Sequence, residues 1–225
     1  MITEANKLKI KQVINVFETG SINGDYSAIS ILKDGPGKIR QITYGRSQTT
    51  EFGNLKILIQ AYVNAHGIFS EALRPFVNRI GQMPSLETDG NFKNLLKRAG
   101  SEDPIMIQTQ DSFFDTVYWK PAEQFFTVNQ FTQPLSLLVI YDSYIHSGGV
   151  SSKLRNLFPE HTPANGGNEK IWIQQYVNVR FNWLATASTQ ILRNTTYRTQ
   201  CFKNEIAKNN WDLSQVVRTN GVNIP

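Results

Sequence analysis

Glu18 stands near the end of the segment EANKLKIKQVINVFETG, and Asp34 follows in KDGPGK after a run of polar and glycine residues. Two carboxyl groups facing each other across a groove suffice to hydrolyse a glycosidic bond. One gives its proton to the leaving oxygen and the other activates water. A hydroxyl must also hold that water, and Thr43, Thr49 and Thr50 lie in the same stretch. A carboxylate in the last turn of a helix is disfavoured by the macrodipole, which raises its affinity for a proton. Taken alone, the same residues better fit a solvated helix end and an ordinary turn aspartate.

Other chemistries find little material. The chain has neither a Walker-type phosphate loop nor GxGxxG, and KDGPGK lacks both the spacing and the following helix. His66, His146 and His161 are scattered without HExxH, and no GxSxG elbow occurs. Cys201 is the single cysteine, which excludes an intramolecular disulfide and a cysteine-rich zinc site. No metal and no cofactor is expected.

The elements that must position the two acids can be read from periodicity. Ile10, Val13, Ile14 and Phe17 recur at helical spacing after Thr3, a residue that can cap, and Gly20 supplies a stop. YSAISIL and KIRQITYG flank the KDGPGK turn and predict a short β-ribbon carrying Asp34. Helical patterns then cover 54–67, 70–81, 89–100 and 103–129, the last with a kink at Pro121. PLSLLVIYDSYIH, apolar almost all round until Asp142, predicts a buried central helix ended by SGG. A loop follows, then helices over 169–187 and 189–210 and a short C-terminal piece.

With 225 residues, 40% apolar and 11% aromatic, the chain can bury a sizeable core. Its apolar runs are far shorter than the roughly 20 residues of a membrane span. The first residues show no classical signal peptide. A net charge of +5 and a pI near 9.3 favour an anionic partner. Nucleic acid is not the expected one, because no helix carries a Lys/Arg stripe interleaved with aromatics.

Glu18, Tyr26, Asp34 and Gly37 resemble the motif of the chitosanases of glycoside hydrolase family 46, within the lysozyme-like group: a helix-end Glu, then a Tyr, seven residues, and Asp-x-x-Gly in a hairpin. LSLLVIYDSYIHSGG resembles the buried helix of that family, with its Tyr-Asp pair, downstream His and glycine-rich end. The resemblance implies a mainly α (α+β) catalytic domain over 1–225, two lobes with a substrate cleft between them, and a small β-ribbon. It implies endo-acting, inverting cleavage of β-1,4 bonds in an amino-sugar polymer, chitosan, with Glu18 as general acid and Asp34 as general base. Inversion places the carboxyl groups at least ~6.5 Å apart. Reading ITYG as the family's apolar-Gly step makes Thr43 the water-holding hydroxyl. Tyr26, Tyr44, Arg46 and Glu51 become candidate substrate contacts, and Asp142 a structural network with Arg180 and with Arg198 or Arg193. The chain departs from the pattern at Thr19, Pro36, Ile39, where the family has Thr, and Glu51, where it has Asp.

Charge points elsewhere. A basic surface concentrates peptidoglycan, which carries carboxylates, and repels polycationic chitosan. Hydrolysis of peptidoglycan glycan strands is therefore the alternative, and a noncatalytic module binding anionic polymers a third reading. The expected protein is a monomer that is secreted or delivered to the periplasm or cell wall. Its partner is a polysaccharide, with an inhibitor or immunity protein as a further open possibility.

Overall fold

The computed structural model describes residues 2–46 and 48–225. Its first helix, α1 (Glu4–Thr19), begins where Thr3 and Asn6 form a reciprocal capping box. It ends where Gly20 adopts φ 73° and donates its N–H to the Val16 carbonyl. Ile10, Val13, Ile14 and Phe17 form its buried stripe, and Glu18 occupies the last turn.

The chain divides into two compact units: residues 23–115 form one, and 1–22 with 116–225 form the other. The 23–115 unit opens with an antiparallel sheet of β1 (Ile29–Leu32), β2 (Gln41–Tyr44) and β3 (Thr49–Thr50), in that order. Leu32 pairs with Gln41, and Ser30 with Thr43, which in turn pairs with Thr50. Strand alternation therefore divides β2 into two faces. Ile42 and Tyr44 point into the core, while Gln41 and Thr43 share the opposite, polar face. The β1–β2 turn contains Asp34, Gly35 and a 3-10 turn at Pro36–Lys38, with Gly37 at φ 64°.

After the sheet come α2 (Leu55–Asn64), a single turn α3 (Ser70–Leu73), α4 (Gly90–Glu102) and α5 (Pro104–Phe114). The helix expected over 70–81 is thus mostly absent. Pro75 has no N–H to donate, and the chain tightens into a 3-10 turn at Arg74–Phe76. Asp89 caps α4 by accepting from Phe92 N, and Asp103 caps α5 while also accepting from the Tyr62 hydroxyl and Ile68 N.

The helix expected over 103–129 runs without a gap from Pro104 to Val128: a π turn at Asp115–Trp119, where the chain leaves the first unit, joins α5 to α6 (Lys120–Val128), and Pro121 follows two residues after it. The second unit is built around α7 (Pro134–Ser147), whose residues from Pro134 to Ser143 are all buried and which ends at Gly148 in the left-handed conformation. Helices α1, α6, α9 (Glu169–Ala185) and α11 (Thr196–Ala207) pack on it. Trp172 of α9 is enclosed by Phe131, Phe158 and Tyr176. Short turns α8 (Ser152–Arg155) and α10 (Gln190–Arg193) occupy the connections, and the helix expected over 189–210 breaks between α10 and α11. The C-terminal piece carries a hairpin, β4 (Val217–Thr219) and β5 (Val222–Ile224), turning at Asn220–Gly221.

Candidate active site

Glu18, Asp142, Arg180 and Arg198 meet in one buried cluster. Arg198 of α11 bridges the two acids: one guanidinium nitrogen pairs with Glu18, and Nη1 lies 2.7 Å from Asp142 Oδ1. Arg180 of α9 reaches the other Asp142 oxygen at 2.6 Å. Asp142 and Arg180 are fully buried, and the Glu18 side chain is 8% exposed. Buried charges of this kind persist only when paired, and guanidinium groups pair carboxylates best. Arg193, the other candidate arginine, binds Gln190 and the Ala187 carbonyl instead.

The two carboxyl groups of the cluster are tuned in opposite directions. Burial raises the pKa of Glu18 above the ordinary carboxylate value; Arg198 offsets part of this and Asp142 adds to it. Burial acts on Asp142 in the same sense, but Arg180 and Arg198 together outweigh it and hold that carboxyl below its usual range. Two acids in one cluster thus have separated proton affinities, as an acid with a charged neighbour requires. Phe17, beside Glu18 in sequence, lies under the Arg198 guanidinium, 5.2 Å from it to the ring centre.

Asp34 belongs to the other unit and is exposed on the β1–β2 turn. Gln41 Nε2 donates to its Oδ1 at 2.9 Å. Two residues further along the same face of β2, the Thr43 hydroxyl bonds the Ser30 hydroxyl and donates to Gln48 Oε1 at 3.0 Å. Thr43 is 2% exposed. Thr49 is buried, and Thr50 is half-buried on the polar face.

Of the residues expected to touch substrate, Tyr26 alone keeps a substantial accessible surface. It is half-buried, and its hydroxyl donates to Asp111 Oδ1 at 2.9 Å. Arg46 is only 6% exposed. It pairs with the same carboxylate and lies against the Tyr26 and Phe114 rings, so it supports Tyr26 from inside instead of reaching a ligand. Tyr44 is fully buried, with its hydroxyl on the Leu96 carbonyl. Glu51, 1% exposed, accepts from Ser85 Oγ and from the backbone N–H groups of Ile42 and Leu86. The expectation that Tyr44, Arg46 and Glu51 contact sugar is therefore corrected, because their side chains are buried within the unit; the expectation that Thr43 holds the water is corrected likewise, its buried hydroxyl being bonded to Ser30 and Gln48. For Tyr44 the signal was in the sequence, since it alternates with Thr43 and so must face the opposite side of the strand.

Gln41 and Asp111 escaped the sequence reading. Gln41 could have been found by the period of two that joins it to Thr43. Asp111 gave no signal, lying on a helix far along the chain. Among the described residues no group of three or more His, Cys, Asp or Glu could hold a metal ion. No helix among them is long and apolar enough to cross a membrane.

A family model, more than the fold, sets the class of this mainly helical protein with its small antiparallel sheet: a glycoside hydrolase. The chain belongs to glycosyl hydrolase family 46, whose model matches residues 12–217. It is 22% identical over 230 residues to the chitosanase of Bacillus subtilis (strain 168), with 95% of this chain and 81% of that protein covered. A mutant chitosanase from Bacillus subtilis MY002, complexed with 6 GlcN, superposes with a TM-score of 0.84 at 20% identity over the whole of both chains. The family 46 chitosanase of Gynuella sunshinyii, in complex with chitotetraose, gives 0.84 at 24% identity, covering 99% of this chain and 98% of that one. At such identities the structural likeness shows the fold.

Proposed function

We propose that this glycoside hydrolase is an endo-acting, inverting chitosanase in which Glu18 is the general acid and Asp34 the general base. The observation that carries the reading is the Glu18 carboxyl, buried at the end of α1 with its affinity for a proton raised. A raised proton affinity is what a group that gives a proton to the leaving glycosidic oxygen needs. Asp34, on an exposed turn, is open to water and takes a proton from it as the water attacks the anomeric carbon. The carbon–oxygen bond breaks as the new one forms on the opposite face, which requires the two carboxyl groups to stand at least ~6.5 Å apart around the sugar.

Chitosan is favoured as substrate by the chitosanases to which the chain is similar, two of them in complexes with glucosamine-containing ligands. Tyr26 is the residue best placed to meet a sugar ring, through its half-buried aromatic face. On this reading the enzyme is secreted or delivered to the periplasm or cell wall, where it would meet such a polymer. One observation favours peptidoglycan instead, the net charge of +5.

The test is turnover of chitosan and of purified sacculi, with the anomer of the first product followed by NMR. Wild-type protein should release α-anomeric oligomers from chitosan. Glu18→Gln and Asp34→Asn should each remain folded and lose about 10²- to 10⁴-fold in kcat. Wild-type turnover by either variant removes that residue from the mechanism, and release of products from sacculi alone replaces the substrate.

A further inference from the structure

We propose that Gln41 is a positioning residue for Asp34, fixing which carboxylate oxygen faces the attacking water; the inference rests on the reading of Asp34 as general base. An exposed aspartate samples several rotamers, and each wrong one must be given up before it can act. Asp34 has one hydrogen bond from the described residues, and it comes from Gln41 Nε2 to Oδ1. Gln41 is itself 5% exposed, and its Oε1 accepts from Phe52 N at 3.0 Å.

These two bonds settle the orientation of the amide. A backbone N–H only donates and an ionised carboxylate only accepts, so Oε1 must face Phe52 and Nε2 must face Asp34. The side chain is thereby a braced link from the chain after β3 to the turn that carries the base. With one lone pair of Oδ1 engaged, Oδ2 is the freer oxygen to receive a proton.

Gln41→Glu tests this cleanly. Glutamate has the same length and still accepts from Phe52 N–H, so only the donor to Asp34 is lost. The expected result is a Tm within a few degrees of wild type, KM for chitosan within about twofold, and kcat lowered about 10- to 100-fold, the scale set by a misplaced catalytic group. The acidic limb of the kcat pH profile should also move to higher pH, because two adjacent carboxyl groups resist ionising together. Gln41→Leu, which removes both halves of the link, should lose kcat without that displacement; it supplies the comparison, per folded molecule, should the glutamate variant unfold. The inference is overturned if the variants turn over within twofold of wild type with unmoved profiles. Asp34→Asn is measured alongside. If it stays active, the assignment of the base fails; if it is inactive while the Gln41 variants are normal, Gln41 alone is dismissed.

Discussion

Arg198 lies between Glu18 and Asp142, and Arg180 pairs Asp142 from the other side, so each removal leaves a buried group without the partner that offsets its desolvation. In the proposed reaction Glu18 becomes a carboxylate, and Arg198 is the group that receives that charge. His146, one turn after Asp142 on α7, feels the same cluster. Burial first, and then Arg198, push its ring pKa from 6.5 down to about 3, with Arg180 acting in the same sense and Asp142 against them. The folded-state value lies below the unfolded one, so the unfolded chain takes up a proton that the native protein refuses. Stability present above pH ~6.5 is therefore lost as pH falls toward 3, by at most about 1.4 kcal/mol per pH unit for one proton. Glu18, whose proton affinity is raised, contributes in the opposite sense, and a paired comparison isolates the histidine. Urea midpoints between pH 7 and 4.5 should fall more steeply for wild type than for His146→Gln. Parallel slopes would show that His146 takes no part.

At the scale of elements, close backbone approach explains what helix propensity alone would predict wrongly. Gly100 lies inside α4, where alanine is normally the better residue by about 1 kcal/mol. A Cβ at that position would overlap the carbonyl oxygen of Tyr26. Gly100→Ala should therefore destabilise the 23–115 unit, by about 1–3 kcal/mol, and disturb the Tyr26–Asp111–Arg46 group; thermal unfolding measures it, and a raised Tm would refute the contact. The same contrast marks what the sequence makes legible. α1 and α7 follow from their apolar stripes and from Gly20 and Gly148, because local rules govern both ends. The β1–β2 ribbon follows from its turn. The helix over 70–81 fails at Pro75, and the π turn at Asp115–Trp119 leaves no mark in the apolar pattern. Asn220–Gly221, both at positive φ, is a strong hairpin signal that a reading centred on helices passes over. Of the site, the helix-end and turn placement of the acids is legible, and the i, i+4 spacing of Asp142 and His146 as well. The arginines that pair Asp142 come from distant helices and were reached only through family resemblance.

At the scale of the whole molecule, the charge is unevenly shared. Residues 23–115 carry ten Lys/Arg and ten Asp/Glu, while the remaining chain carries thirteen and eight, so the net +5 resides entirely in the unit that holds Glu18. In the first unit ion pairs such as Arg74–Glu71, Arg79–Asp89 and Arg98–Glu102 neutralise charge locally. A polycation approaching this protein therefore meets net repulsion, which extends over a Debye length of about 30 Å at 10 mM salt and about 8 Å at 150 mM. Repulsion slows encounter, and screening relieves it. For chitosan, kcat/KM should rise at least about twofold between those ionic strengths, with kcat little changed because bound substrate no longer feels the long-range field. For an anionic glycan the sign is reversed, since salt then screens an attraction. Initial rates on chitosan oligomers of fixed length, measured across the salt series at constant pH, read that sign directly. A fall in kcat/KM for chitosan would mean that carboxylates close to the bound sugar, Asp111 beside Tyr26 among them, outweigh the net charge in drawing the substrate in.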